Sequence, residues 1–234
     1  MDFDRARVAA VATRLFAEGS WMGRTMQRLR PYICPFDVLV NVVPERATIL
    51  DVGCGSGLLL GLVAELRKPS AAVGFDANRR AIRSAQAMRD RLSPAVRPRI
   101  SFLHRDVHQP WPEGLFEVVC LVDVLHHIPP RSQRDVIAQA ATKVAPGGML
   151  LYKDIAPRPL WRASANRLHD LVVAREWVHF RTIDTVAGWL SRKGLTTERT
   201  QRINQLWYGH ELGIFRREAA HGVRVKSLYT SPAA

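Results

Sequence analysis

Ile49-Leu50-Asp51-Val52-Gly53-Cys54-Gly55-Ser56-Gly57 is the stretch whose reading decides the fold. A short apolar run carrying one acid ends in three glycines within five residues, and a helical pattern follows at once. Glycine accepts backbone angles and close approaches that other residues resist, so this spacing predicts a buried strand turning sharply into a helix against a ligand. The unpaired N–H groups opening that helix suit a carboxylate or a phosphate. A dinucleotide fingerprint needs a glycine at position 58, where this chain has Leu58. Asp51, two residues before the first glycine, disfavours a pyrophosphate and suits a ligand that carries an ammonium group. Asp76 closes the next strand-like run, 19 residues beyond Gly57, where a carboxylate is placed to accept from ribose hydroxyls.

Working outward, apolar strand-like runs at 71–76, 99–104, 116–123 and 148–154 follow the first. Helical stretches near 57–67, 78–92 and 131–144 lie between them, with a looser connection at 105–115. Continuous apolar strands separated by helices predict a parallel sheet covered on both faces. After Asp154 the rhythm changes. Residues 156–181 read as a helical insertion carrying Trp161, His169, Trp177 and His179. A helix near 182–193 then leads to two late strands, about 195–203 and 208–216, predicted to form an antiparallel edge. Upstream, residues 3–44 show helical spacing at Val8, Val11, Ala12, Leu15 and Phe16, broken in two by Pro31 and Pro35. The expectation is an α/β fold with seven mostly parallel strands, an antiparallel last strand, helices on both faces and an insertion after strand five.

Composition bounds the rest. A chain of 234 residues, 47% hydrophobic, fits one large domain, or one domain with an added substrate cap. No run approaches the roughly 20 apolar residues that span a bilayer. The start, Met1-Asp2-Phe3-Asp4, is acidic and unlike a signal peptide, and Cys34, Cys54 and Cys120 form neither a CxxC pair nor a zinc set. A reduced cytoplasmic setting and no metal are expected. The formal charge of +13 suits a nucleic-acid partner, or an acidic one such as an acyl carrier protein. Five lysines stand among 34 basic residues, and the arginines are scattered, which also fits a compositional bias.

With these residues in hand, the sequence resembles the class I S-adenosylmethionine-dependent methyltransferases, of the small-molecule, methyltransferase-domain type. Residues 49–57 match that family's first motif, and Gly74-Phe75-Asp76-Ala77 its ribose-binding strand end. His104-Arg105-Asp106-Val107 resembles the adenine-contact motif, and 121–129 the fourth-strand motif. Ala145-Pro146-Gly147-Gly148 matches the turn into strand five. The resemblance implies a Rossmann-like domain over 45–216, a helical segment over 1–44 covering the site, residues 156–181 as a substrate cap, and a tail at 217–234. It implies that Asp51, Gly53, Cys54, Gly55, Gly57, Asp76, Ala77, Asp106, Val107, Leu121 and Val122 hold S-adenosylmethionine.

Methyl transfer is an in-line displacement, which requires alignment above all and a base where the nucleophile must lose a proton. Ligands of open α/β sheets lie beyond the carboxyl ends of the strands. His126, His127 and Asp123 are therefore the candidate catalytic residues, although the histidine pair equally reads as a cap on the turn into Pro129-Pro130. Tyr32, Lys153, Trp161, His169, Trp177 and His179 are the candidate substrate residues. Lys153 and Asp154 are also placed to pair with each other, and Arg30 with Tyr32 to close over the cofactor's carboxylate. The activity expected is methylation of oxygen, nitrogen or carbon on a small or carrier-bound acceptor. Methylation of tRNA or rRNA, and a non-catalytic cofactor-binding subunit, are the alternatives.

Overall fold

A computed structural model describes residues 2–17, 21–156, 179–205 and 208–219. The strands are β1 (Thr48–Val52), β2 (Ala71–Asp76), β3 (Ile100–His104), β4 (Phe116–Val122), β5 (Val144–Ile155), β6 (Leu195–Gln205) and β7 (Tyr208–Arg217). They form one seven-stranded sheet in the order β3-β2-β1-β4-β5-β7-β6. β1 with β2 and β2 with β3 pair in parallel, whereas β7 runs antiparallel to both β5 and β6. The α/β architecture and the antiparallel last strand agree with the sequence. The chain divides into two compact units, Met1–Phe116 and Glu117–Lys226.

In the first unit, α1 (Arg5–Leu15), α2 (Trp21–Ile33) and α3 (Phe36–Val42) precede β1, and α4 (Leu58–Arg67) and α5 (Arg79–Arg89) follow β1 and β2. All five residues of β1, Thr48 and Asp51 among them, and the first five of β2 are buried, as in central parallel strands covered on both faces. Asp4 caps α1 by accepting from Arg7 N–H, and Asn78 caps α5 by accepting from Arg80 and Ala81 N–H. The N-terminal helices are tied to α4 through buried Arg67. Its guanidinium donates to the carbonyls of Val40 and Asn41, while Asn41 exchanges two hydrogen bonds with the backbone of Phe3. Pro31 does not break this region as its ring suggests. α2 runs through it to Ile33, because a proline's φ is helical and the loss is one bond to the carbonyl of Gln27.

In the second unit, a 3-10 turn over Leu125–His127 leads from β4 to α6 (Pro130–Lys143), and α7 (Ile183–Ser191) packs on α6, β6 and β7. β6 is an edge strand of mostly exposed polar residues, Thr196 to Arg202, as an edge that must not recruit another strand should be. A bulge at Glu198 lets it pair with Arg216. The helical insertion expected at 156–181 lies almost wholly outside the described residues, as do Trp161, His169 and Trp177. Among the described residues no helix is long and apolar enough to cross a membrane.

Candidate active site

The carboxyl ends of β1 and β2 are bound together by the glycine turn. Gly53 and Cys54 N–H both donate to the carbonyl of Phe75, at 2.9 and 3.0 Å. Gly55 N–H donates to Asp76 Oδ2 at 2.8 Å, and Asn78 N–H to Oδ1 at 2.7 Å. Asp76 thus shapes the turn with the same carboxylate that the sequence assigns to a ligand. Gly55 (φ 55°) and Gly57 (φ 79°) both sit in the left-handed region. A Cβ at Gly57 would lie 2.7 Å from the ring of Phe102, but one at Gly55 would meet no protein atom within 4 Å. The turn is therefore packed beneath and open in front. Beyond β3, Trp111 fixes the connection: its indole N–H donates to the carbonyl of Val107, and its ring meets Phe75 edge-on at 5.1 Å. Asp106 and Ala77 are exposed there, and Val107 and Asp76 are half-buried.

Asp51 is 2% exposed. Burial first, and Asp76 second, push its carboxyl up to about 8 from an ordinary 3.8. The folded chain keeps this proton up to about pH 8, whereas the unfolded chain loses it near 3.8, so stability falls as pH rises through that window. Asp51→Asn keeps the shape of the protonated acid and removes this term. It is expected to stabilise the ligand-free protein by roughly 2–4 kcal/mol at pH 7, each tenfold of proton affinity being worth about 1.36 kcal/mol. The same substitution should have little effect at pH 4. Thermal unfolding at the two pH values checks it, and an equal gain at both would refute the assignment. Burial likewise pushes the Cys54 thiol up, which leaves it unsuited to act as a nucleophile.

In the second unit, Asp123 ends β4 in a left-handed conformation (φ 55°), a strained state for a residue with a Cβ. Lys153 holds it from two sides. Its Nζ lies 2.6 and 2.7 Å from the two carboxylate oxygens, and its carbonyl accepts from Asp123 N–H at 2.9 Å. Lys153 is 1% exposed. The expected Lys153–Asp154 pair does not form, because successive residues of a strand point to opposite faces. Asp154 instead meets His126, with Nδ1 and Oδ1 2.5 Å apart and both side chains buried. Ile155 N–H also donates to Asp154 Oδ1, and Tyr152 O–H reaches Oδ2 at 3.4 Å. With these other donors on its carboxyl group, Asp154 is assigned as the acceptor and His126 Nδ1 as the donor. Burial and Asp154 push the Tyr152 phenol well up, so it remains a donor.

Segment 179–181 closes on this turn. His179 N–H donates to the carbonyl of His126 at 3.0 Å, and the ring of Phe180 lies 5.2 Å from the imidazole. His127 is exposed, its ring 4.1 Å from that of His126. Leu121 is buried and Val122 half-buried on β4. Tyr32 is exposed on α2 with Met26 and Leu29, and Arg30 is half-buried. Four participants escaped the sequence reading: Trp111, Gln133, Asp154 as partner of His126, and Glu211. Glu211 accepts from Arg202 and from Ile183 N–H, capping α7. Gln133 alone left a signal, a polar residue at an apolar-face position of α6 with Val136, Ile137, Ala140 and Ala141.

Comparison with known proteins gives this geometry a family. The family model described as "Methyltransferase domain" matches residues 20–200. The chain is 31% identical over 176 residues to 27-O-demethylrifamycin SV methyltransferase of Amycolatopsis mediterranei, covering 72% of this chain and 62% of that one. It is 33% identical over 125 residues to the mitochondrial ubiquinone biosynthesis O-methyltransferase of Schizosaccharomyces pombe, covering 51% and 44%. The chain therefore spans less than two thirds of either relative. Among solved structures, magnesium protoporphyrin IX methyltransferase of Synechocystis with bound S-adenosylhomocysteine superposes with a TM-score of 0.64 at 18% identity, covering 89% and 93%. That likeness is one of fold. With the glycine turn, the two strand-end acids and the strand order, the match over most of its length establishes that the chain belongs to the class I S-adenosylmethionine-dependent methyltransferases.

Proposed function

We propose that this chain methylates a hydroxyl oxygen of a small organic acceptor, free or carried on an acidic acyl carrier protein, with His126 as the general base. The observation that carries this reading is the buried His126–Asp154 pair at the carboxyl ends of β4 and β5, where a sheet of this kind presents its chemistry. A hydroxyl must give up its proton as it attacks, and an imidazole oriented by a carboxylate is suited to take it. Two relatives act at oxygen by name, which favours the same atom here.

The residues at the tips of β1 and β2 fit the cofactor. The space in front of Gly55 is open, and beside it the buried Asp51 carboxyl is held neutral by burial and by Asp76. Asp51 would face the cofactor's ammonium, Asp76 its ribose, and Asp106 with Val107 its adenine. When bound, S-adenosylmethionine supplies a methyl group on a sulfonium, open to in-line attack. His126 takes the acceptor's proton at Nε2, and Asp154 stabilises the imidazolium that results. Lys153 is committed to Asp123, so its part is to hold the end of β4.

The charge of +13 favours a second reading, methylation of tRNA or rRNA. One experiment separates them. Methyl-tritiated S-adenosylmethionine is offered with a panel of phenols, hydroxylated polyketides and their carrier-protein thioesters, and in parallel with total tRNA and rRNA. Label is expected in an ether of the small-molecule or carrier fraction. Label confined to RNA would install the second reading, and cofactor binding with no transfer to either would point to a non-catalytic subunit.

A further inference from the structure

We propose that Gln133 is a positioning residue, which locks the turn bearing His126 to segment 179–181 and so sets the hydrogen bond between His126 and Asp154. The proposal deepens the assignment of His126 as the base and rests on it for its catalytic meaning.

The geometry is unusual for one amide. Gln133 is 0% exposed, on the inward face of α6. Its Nε2 lies within hydrogen-bond reach of three carbonyls: Leu125 at 3.0 Å, Ile128 at 3.1 Å and His179 at 2.9 Å. Leu125 and Ile128 bracket the two histidines of the 3-10 turn. Its Oε1 accepts from Arg181 Nε at 2.6 Å, and that guanidinium lies over the ring of Trp189 at 5.9 Å. Three carbonyls on one side and a guanidinium on the other fix which end of the amide is nitrogen, for the reverse orientation would face oxygen to oxygen.

A buried amide costs stability unless its bonds are made. The apolar-face neighbours of Gln133, Val136 and Ile137, show that an aliphatic side chain would pack at such a position. An amide there serves connection: it grips both ends of the turn and the incoming strand of chain at once. His179 N–H donating to the carbonyl of His126, and Phe180 packed on the imidazole, complete the same joint. The imidazole is thereby fixed from its backbone and its ring face, while Asp154 fixes it at Nδ1.

The test uses the full chain and needs no acceptor. Gln133→Met removes donors and acceptor at similar volume. Gln133→Glu keeps a partner for Arg181 but turns oxygen toward the three carbonyls. Val136→Ala opens a cavity on the same helix without touching the amide. The readouts are the low-field Nδ1 proton of His126 by NMR, the exchange rate of the His179 amide, and S-adenosylmethionine affinity by calorimetry. In both Gln133 variants the low-field proton is expected to shift or vanish and His179 to exchange about tenfold faster, the loss of a single net hydrogen bond. Cofactor affinity should stay within twofold, and Val136→Ala should keep the low-field signal. A folded Gln133→Met protein with unchanged signal and exchange overturns the proposal, as does the same loss in Val136→Ala. Preserved signals in Gln133→Glu would also overturn it, since Arg181 alone would then be the partner that matters. A His126→Ala protein that still transfers methyl at full rate would remove the base and leave the effect of Gln133 on exchange standing.

Discussion

Asp76→Ala is expected to weaken S-adenosylmethionine binding a hundredfold or more while the protein stays folded. The magnitude comes from counting what the carboxylate does. It accepts from Gly55 N–H and Asn78 N–H, so it holds both the glycine turn and the entrance to α5. In the proposed cofactor site it meets the ribose as well. Hydrogen bonds to a charged group are worth roughly 1.5–3 kcal/mol each, and 1.4 kcal/mol is tenfold in affinity. Losing the ribose contact and a preset turn together therefore exceeds two decades. The fold should survive, because Asp76 is half-buried at a strand end and the core strands β1 and β2 are sealed by apolar contacts. Asp76→Asn keeps an acceptor oxygen in the same place and is expected to lose about tenfold. Calorimetric titration decides: an affinity within threefold of the parent in the alanine variant would strip Asp76 of its role.

How much of this could be read from the chain alone depends on whether the signal was local. The cradle was legible because strand, glycines and acids follow one another in sequence, so 49–57 and Asp76 announce themselves by spacing. The sheet was legible because buried strands are apolar along their whole length, and the late hairpin because two polar-edged runs stand close together. What was not legible is pairing across sequence distance. His126 finds Asp154, and Asp123 finds Lys153, through the alternation of β5, which sends neighbours 153 and 154 to opposite faces. Each partner is some thirty residues away, and nothing in the spacing says which acid meets which base. Pro31 misled for a related reason: its ring opposes a helix locally, yet it stands near the end of α2 and is buried, and burial is set by contacts that the spacing does not show. Gln133 is the instructive intermediate, visible as a polar residue on an apolar face yet mute about its four partners.

The pair at His126 leads to the other large effect. His126→Ala is expected to lower kcat on the hydroxyl acceptor identified by labelling by a factor of about 10²–10⁴, the usual contribution of a positioned general base. S-adenosylmethionine affinity should stay within about twofold, because His126 is not among the residues assigned to the cofactor. Asp154→Asn should be milder, about ten- to hundredfold. Its carbonyl oxygen can still accept from His126 Nδ1 and Ile155 N–H, while its amide turns toward the Tyr152 hydroxyl, so tautomer and ring orientation persist and the charge that stabilises the imidazolium is lost. A merely structural histidine would depress the rate equally at every pH. A base does not: with a phenolic acceptor, rising pH ionises the nucleophile without help, and the gap between His126→Ala and the parent should close toward the acceptor's own pKa. Rates measured from pH 6 to 10 therefore separate the roles, and a pH-independent deficit would assign His126 to architecture and leave the proton to solvent.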